Sequence, residues 1–363
     1  MSLYTKPCFV SFFFSPSTSA WNDYDVAMTL AGRYKCWCKL LFVVQLVLSW
    51  FVVSISTAST FVFSEHFRDA FNATIIEPGT IASSMVEALF ALSLVLSMII
   101  SLDSLLDYKS KWRELRRGSG ALQSVIWTYR TRVGQFEMEE NPGNGAGRPE
   151  RQLMATLQTF RDELNAGANL DSSNFHKKHN AKLYKHFQNK GAPAEGEDDF
   201  HSPVQPHRYI ELRIQKNVSF YQARIPQYNR RKSFFKFLIV LLSVAGSALA
   251  RYQMVSIVVA VTAASTALTS WVEFADMSSK AKRYSRVITG LKNLLDWWNS
   301  LTEVQKASRE RIGQLITTSE GLIAEEQIGW MSMSKAKDPG GETKDDGGGS
   351  KRNGSTKVQP VAS

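Results

Sequence analysis

Long apolar stretches alternate along this chain with charged, helix-forming ones, and the alternation occurs twice. The first apolar pair runs from Leu40 to Phe63 and from Ile81 to Leu106; the second covers about 234–250 and 252–272. A bilayer core of about 30 Å takes ~20 mostly apolar residues in a helix, so each stretch predicts a membrane span. The third is the shortest. Only Phe237 to Ala250 is free of charge, and Lys236 and Arg251 must snorkel at its ends.

Helical spacing continues outside the spans. Lys109 to Glu140 predicts a helix, broken by Asn141-Pro142-Gly143-Asn144-Gly145, and Leu153, Leu157, Phe160 and Leu164 predict an amphipathic one. Tyr209, Leu212, Gln215, Val218 and Tyr221 lead toward the third span, with a kink expected at Pro226. After the fourth span, Tyr284, Ile288, Leu291, Leu294, Trp298 and Leu301, then Val304, Ile312, Leu315 and Leu322, fit one long helix over about 275–330. The fold class that results is all-α: a membrane protein with two duplicated transmembrane helical hairpins and long cytosolic stalk helices. Residues 1–20 read as a disordered start or weak presequence, 21–140 as the first unit, and 141–206 as an amphipathic helix with a mobile polar linker. Residues 207–333 form the second unit, and 334–363, almost without large apolar side chains, a disordered tail.

Charge fixes the expected topology. The 363-residue chain carries a formal +10, concentrated beside the spans in Lys35, Lys39, Lys109, Arg113 and Arg116, and again in Arg224, Arg231, Lys232, Lys280 and Arg283. Lys and Arg at span ends mark the cytosolic side, so both hairpins start and end there and both termini are cytosolic. This accounts for the basic composition without nucleic acid as a partner. The sequon at Asn72 should face outward and that at Asn217 inward. Three cysteines, Cys8, Cys36 and Cys38, cannot build a disulfide framework. Cys36 and Cys38 suit S-palmitoylation by position, but read more simply as small residues of an amphipathic helix.

The two halves repeat. Arg113, Arg116, Gly120 and Trp127 recur, at an offset of 170, as Arg283, Arg286, Gly290 and Trp297; the same offset puts Asp103 on Glu273. Upstream, Tyr24, Lys35 and Lys39 match Tyr221, Lys232 and Lys236.

These residues resemble the SLATT family, the two-transmembrane effector domains associated with SMODS nucleotidyltransferases and SLOG sensors. The likeness is carried by Tyr209-Ile210-Glu211-Leu212-Arg213, by Phe220-Tyr221-Gln222-Ala223-Arg224-Ile225-Pro226, and by Lys282-Arg283-Tyr284 and Trp297-Trp298. It closes on Glu320, Glu325, Glu326 and Trp330. Trp127-Thr128-Tyr129-Arg130-Thr131-Arg132 resembles the end of another such unit. The resemblance implies a membrane effector that oligomerises into a pore or perturbs the bilayer. No Gly-rich nucleotide-binding pattern occurs here, so a nucleotide sensor, if there is one, is on another chain or lost from this gene model. The competing reading is a non-conducting scaffold that recruits a cytosolic partner through its stalks.

Candidate functional residues follow. Glu87, Asp103 and Glu273 are carboxylates within or beside spans, where they are costly and often line an ion path. Gly246, Ala250, Ala260 and Ala264 predict close packing of the second hairpin. Trp297, Trp298 and Trp330, beyond the membrane, predict association of stalks into a homo-oligomer. His176, His179 and His186 share a helical face but lack a Cys or paired carboxylate, so no metal site is expected. No nucleophile elbow, phosphate loop or cofactor motif appears, and the chain is not expected to be an enzyme.

Overall fold

The computed structural model describes residues 16–62, 78–137, 149–168, 179–186 and 198–337. The start at residues 1–15, the Asn72 sequon, the breaker at 141–145, His176, the 338–363 tail and the side chain of Trp330 lie outside what is described.

Among the described residues there is no strand. Helix α1 spans Pro16–Val62, α2 Pro78–Leu106, α3 Tyr108–Thr131 and α4 Pro149–Ala168. Helix α5 is the continuous run Pro206–Arg251, followed by α6 Val255–Ala275, α7 Met277–Ser300 and α8 Arg309–Lys337. The helical parts of the four predicted spans lie in α1, α2, α5 and α6, each long and apolar enough to cross a membrane, while 252–254 form the turn between the last two. The protein is a multi-pass, all-α membrane protein.

The two halves have the same build. In each, a long helix enters the membrane, a second returns, a third continues past an aspartate joint, and a fourth folds back onto the third. The joints are Asp107 and Asp276, both left-handed at φ 38° and 45°. Asp107 accepts a hydrogen bond from the Ser110 N–H at 3.2 Å and so caps α3. Glycines mark the two fold-backs. A Cβ at Gly118 would lie 2.9 Å from Leu164, and one at Gly290 would lie 2.9 Å from Leu322. Helix α4 thus packs against α1 and α3 of the first unit.

Within the membrane α1 packs on both α2 and α6, and α5 packs on α6, which sets the spans in the row α2–α1–α6–α5. Outside it, Ala20, Trp21, Ala27 and Leu30 of α1 bury against Leu115, Leu122 and Ile126 of α3 and Leu153 and Leu157 of α4. A second core joins Tyr209 and Ile214 of α5 to Leu291, Leu294 and Trp298 of α7 and Leu315, Ile316 and Ile323 of α8. Trp127, from α3, lies in this second core, so the halves share it.

Four expectations are corrected. The helix starts at Pro16, and Ala20 and Trp21 are core residues, so 16–20 are not a disordered start. Helix α3 stops at Thr131, where Arg132 turns left-handed (φ 56°) and Phe136 tucks a 3₁₀ turn into the core. The single helix expected over 275–330 is a hairpin. Leu301 is extended, and Thr302 and Gln305 form a capping box that restarts the chain, turning Val304 outward. That reversal lets the apolar stripes of α7 and α8 bury each other. Finally, the described parts of the polar linker are docked. His186 stacks on Trp21 at 4.1 Å and pairs with Asp25 at 2.7 Å, while Asp198 pairs with the buried Arg130 at 2.8 Å.

The backbone irregularity of α5 also differs from expectation. The helix runs without a break through Pro226, and the departure lies at Ile210–Gln215, a π-helical stretch. This wider turn brings Tyr209 and Arg213 to one carboxylate.

Candidate functional site

Where the four spans leave the membrane, the basic flanks of different helices converge on one cavity of about 910 Å³. Helix α1 contributes Lys35 and Lys39, one turn apart; α3 contributes Lys109 and Arg113 with the same spacing. Helix α5 adds Arg224, Tyr228 and Arg231 on one face, and the α6–α7 joint adds Glu273, Asp276 and Lys280. Seven cations therefore face two carboxylates. The walls between them are aromatic: Phe42 stacks on Phe274 at 4.1 Å, and the Lys35 ammonium sits 5.4 Å from the Trp112 ring centre. The Lys280 ammonium donates to the Ala275 carbonyl at 2.6 Å, close to the α6 C-terminus.

Burial, and after it the crowding of cations, lowers the affinity of two of these lysines for their protons. Burial, reinforced by the charges of Lys39, Lys280, Arg116 and Arg224, lowers Lys35 to about 8. Lys280 is lowered to about 8 by burial first, with Asp276 opposing and Lys39 and Arg283 adding. Burial raises Glu326 despite the opposing charges of Arg116, Arg283 and Lys35.

A stability consequence follows. Between pH 8 and 10.5 the unfolded chain holds more of the Lys35 proton than the folded one. The penalty is thus full below pH 8 and fades toward 10.5. Lys35→Met should raise the stability at pH 7 by about 1–2 kcal/mol, after discounting for solvent screening. Thermal unfolding in detergent from pH 7 to 10 should show a flatter pH dependence for the variant; a less stable variant at pH 7 would contradict this.

The predicted carboxylates do not meet at one place. Glu273 lines the cavity, Asp103 is half-buried near the end of α2, and Glu87 is exposed. Sixteen residues separate Glu87 from Asp103, or ~24 Å along a helix, so they sit near opposite ends of their span. Of the small residues, Gly246 is buried, and a Cβ there would meet Val261 at an ordinary 3.8 Å. Ala250 is exposed, while Ala260 and Ala264 are half-buried. The Ala260 carbonyl accepts a hydrogen bond from the Trp50 indole at 3.1 Å. Part of the α6 small-residue face is thus turned to α1 of the first hairpin rather than to α5. Trp298 is buried in the second core and Trp297 half-buried beside it, ring centres 6.3 Å apart.

Sequence reading missed two features. The span flanks register as topology signals, and nothing local says that four of them share a cavity. The second is a buried network: Arg213 grips Glu320 through two bonds of 2.9 and 2.8 Å, and Tyr209 donates to the same carboxylate at 2.8 Å. Burial raises the Tyr209 hydroxyl well above its usual range, which keeps it a donor. The residues quoted at the two ends of the resemblance are therefore partners that close the domain.

Comparison with known proteins finds two family matches. Residues 209–330 match the family described as SMODS and SLOG-associating 2TM effector domain 1. Residues 20–143 match a family described as a protein of unknown function, DUF4231. One match falls on each hairpin unit, in line with a tandem duplicate. No curated protein and no solved structure matches the chain.

Proposed function

Because residues 209–330 match the SMODS and SLOG-associating 2TM effector domain, we propose that the chain assembles in a bilayer into a pore or membrane-perturbing oligomer. The observation that carries this reading is the open row α2–α1–α6–α5. A row of four helices encloses no lumen, so conduction by this chain requires several copies. The outer helices offer surfaces for that. Phe90, Leu94 and Met98 on α2, and Phe234, Phe237 and Val244 on α5, are exposed and apolar, and they meet either lipid or a second copy. The Lys and Arg flanks support a cytosolic extramembrane body and cytosolic termini, with a separately encoded nucleotide sensor acting on that body.

Stalk-driven assembly through Trp297, Trp298 and Trp330 has less support. Leu291, Leu294 and Trp298 are buried within their own chain, where they hold α7 to α8 rather than to a second copy.

The test is leakage. Full-length protein reconstituted into dye-loaded liposomes should release dye with a steeper than linear dependence on protein density. Phe90→Glu combined with Leu94→Glu should abolish both leakage and the oligomer on gel filtration. An oligomer that forms and never leaks would overturn the pore and leave the scaffold.

A further inference from the structure

A second depression continues from the basic cavity into the membrane. It has a volume of about 460 Å³ and runs between α1 and α6, lined by Leu46, Trp50 and Val53 on one side and Val259, Ala263 and Thr266 on the other. Ser270 lines both cavities. From Val258 to Ser270 the groove follows α6 for ~18 Å, more than half of a hydrocarbon core of about 30 Å.

We propose that the two cavities together bind one anionic glycerophospholipid, its phosphate among the cations of the vestibule and one acyl chain in the α1–α6 groove. Three observations converge. The cations come from α1, α3, α5 and α7 of both units, and they outnumber the carboxylates where the apolar spans end. Phe42, Trp271 and Phe274 ring the boundary between the charged and apolar parts, as aromatic side chains do at a membrane interface. The apolar groove opens off the same cavity and would be left empty by any soluble anion. Basic pockets between membrane helices take phosphate head groups by this electrostatic logic. The bound lipid relieves the mutual repulsion of Lys35, Lys39 and Lys280, and it joins the two hairpins across the α1–α6 seam. None of this depends on whether the chain conducts.

The experiment is lipid retention by purified full-length protein, incubated in detergent with equal amounts of phosphatidylglycerol and phosphatidylcholine and read by native mass spectrometry at physiological ionic strength. Wild type should retain the anionic lipid about tenfold over the zwitterionic one. Lys39 and Arg231 are exposed, so Lys39→Gln/Arg231→Gln should keep the fold, checked by circular dichroism, and bring retention to near parity. Val259→Trp, which fills the groove at an exposed position, should lower retention of both lipids. A wild type with no anionic preference, or a preference that survives Lys39→Gln/Arg231→Gln, overturns the proposal. ATP or inorganic phosphate supplies the other arm. If either displaces the lipid and stabilises wild type and Val259→Trp equally, the site belongs to a soluble phosphate and the lipid assignment fails.

Discussion

Glu320→Ala is expected to destabilise the extramembrane body by about 3–5 kcal/mol, because it leaves the Arg213 guanidinium buried without its counter-charge. Arg213 and Glu320 are each 5% exposed, so water cannot replace the lost partner. Tyr209, whose hydroxyl also lies 2.6 Å from that of Ser319, would lose its carboxylate acceptor as well. A double replacement, Arg213→Met with Glu320→Leu, removes both charges and should recover most of the loss. Denaturant unfolding in detergent, followed by tryptophan fluorescence, measures both. A cost below about 1 kcal/mol for Glu320→Ala would show that the network contributes no closure of the domain.

Trp127→Ala is expected to cost a similar amount, about 3–5 kcal/mol, and to change the form of the unfolding transition as well as its midpoint. Trp127 grows from the first unit but packs in the second core. Its ring meets Tyr209 edge-on at 5.7 Å and lies 4.9 Å from the Arg130 guanidinium. Arg130 in turn holds Asp198 and the Ser202 carbonyl, which dock the segment leading to α5. Removing the ring should therefore loosen one unit from the other and split a single calorimetric transition into two. Trp297, its repeat counterpart, is only half-buried, and Trp297→Ala should leave one transition at a smaller cost. Equal effects of the two substitutions would contradict the view that the copies have diverged in role.

That divergence bears on how the chain reads. The repeat Arg113, Arg116, Gly120 and Trp127 against Arg283, Arg286, Gly290 and Trp297 is visible in the letters. Yet the close helix approach in the first half is at Gly118, facing Leu164 and Phe160, while in the second it is at Gly290. Motif identity survives duplication more readily than the contact that each position makes. The same holds for the carboxylates: Asp103 and Glu273 are equivalent by offset, and only Glu273 lines the vestibule.

The break at Leu301 shows why a helical pattern overreached. Apolar positions keep helical phase through 301–312, so periodicity alone predicts continuity. The stop is local and subtle, a Thr302–Gln305 capping box in a polar stretch. Its effect is large because reversing there buries the α7 and α8 stripes against each other. The His186 segment misled in the opposite direction. Its composition is that of a loop, and its order comes from stacking on Trp21 and from the Asp25 carboxylate, 161 residues away.

Apolar length and periodicity alone specify the helical class, the four spans and the doubled hairpin. In hydrocarbon a backbone must satisfy its own hydrogen bonds, so a ~20-residue apolar stretch has little choice but helix. The tertiary structure decided which faces meet. It paired Arg213 with Glu320 across 107 residues, laid α6 against α1, and drew four basic flanks around one cavity. Periodicity specifies the side of a helix that seeks a partner; the identity of the partner depends on packing between surfaces remote in sequence.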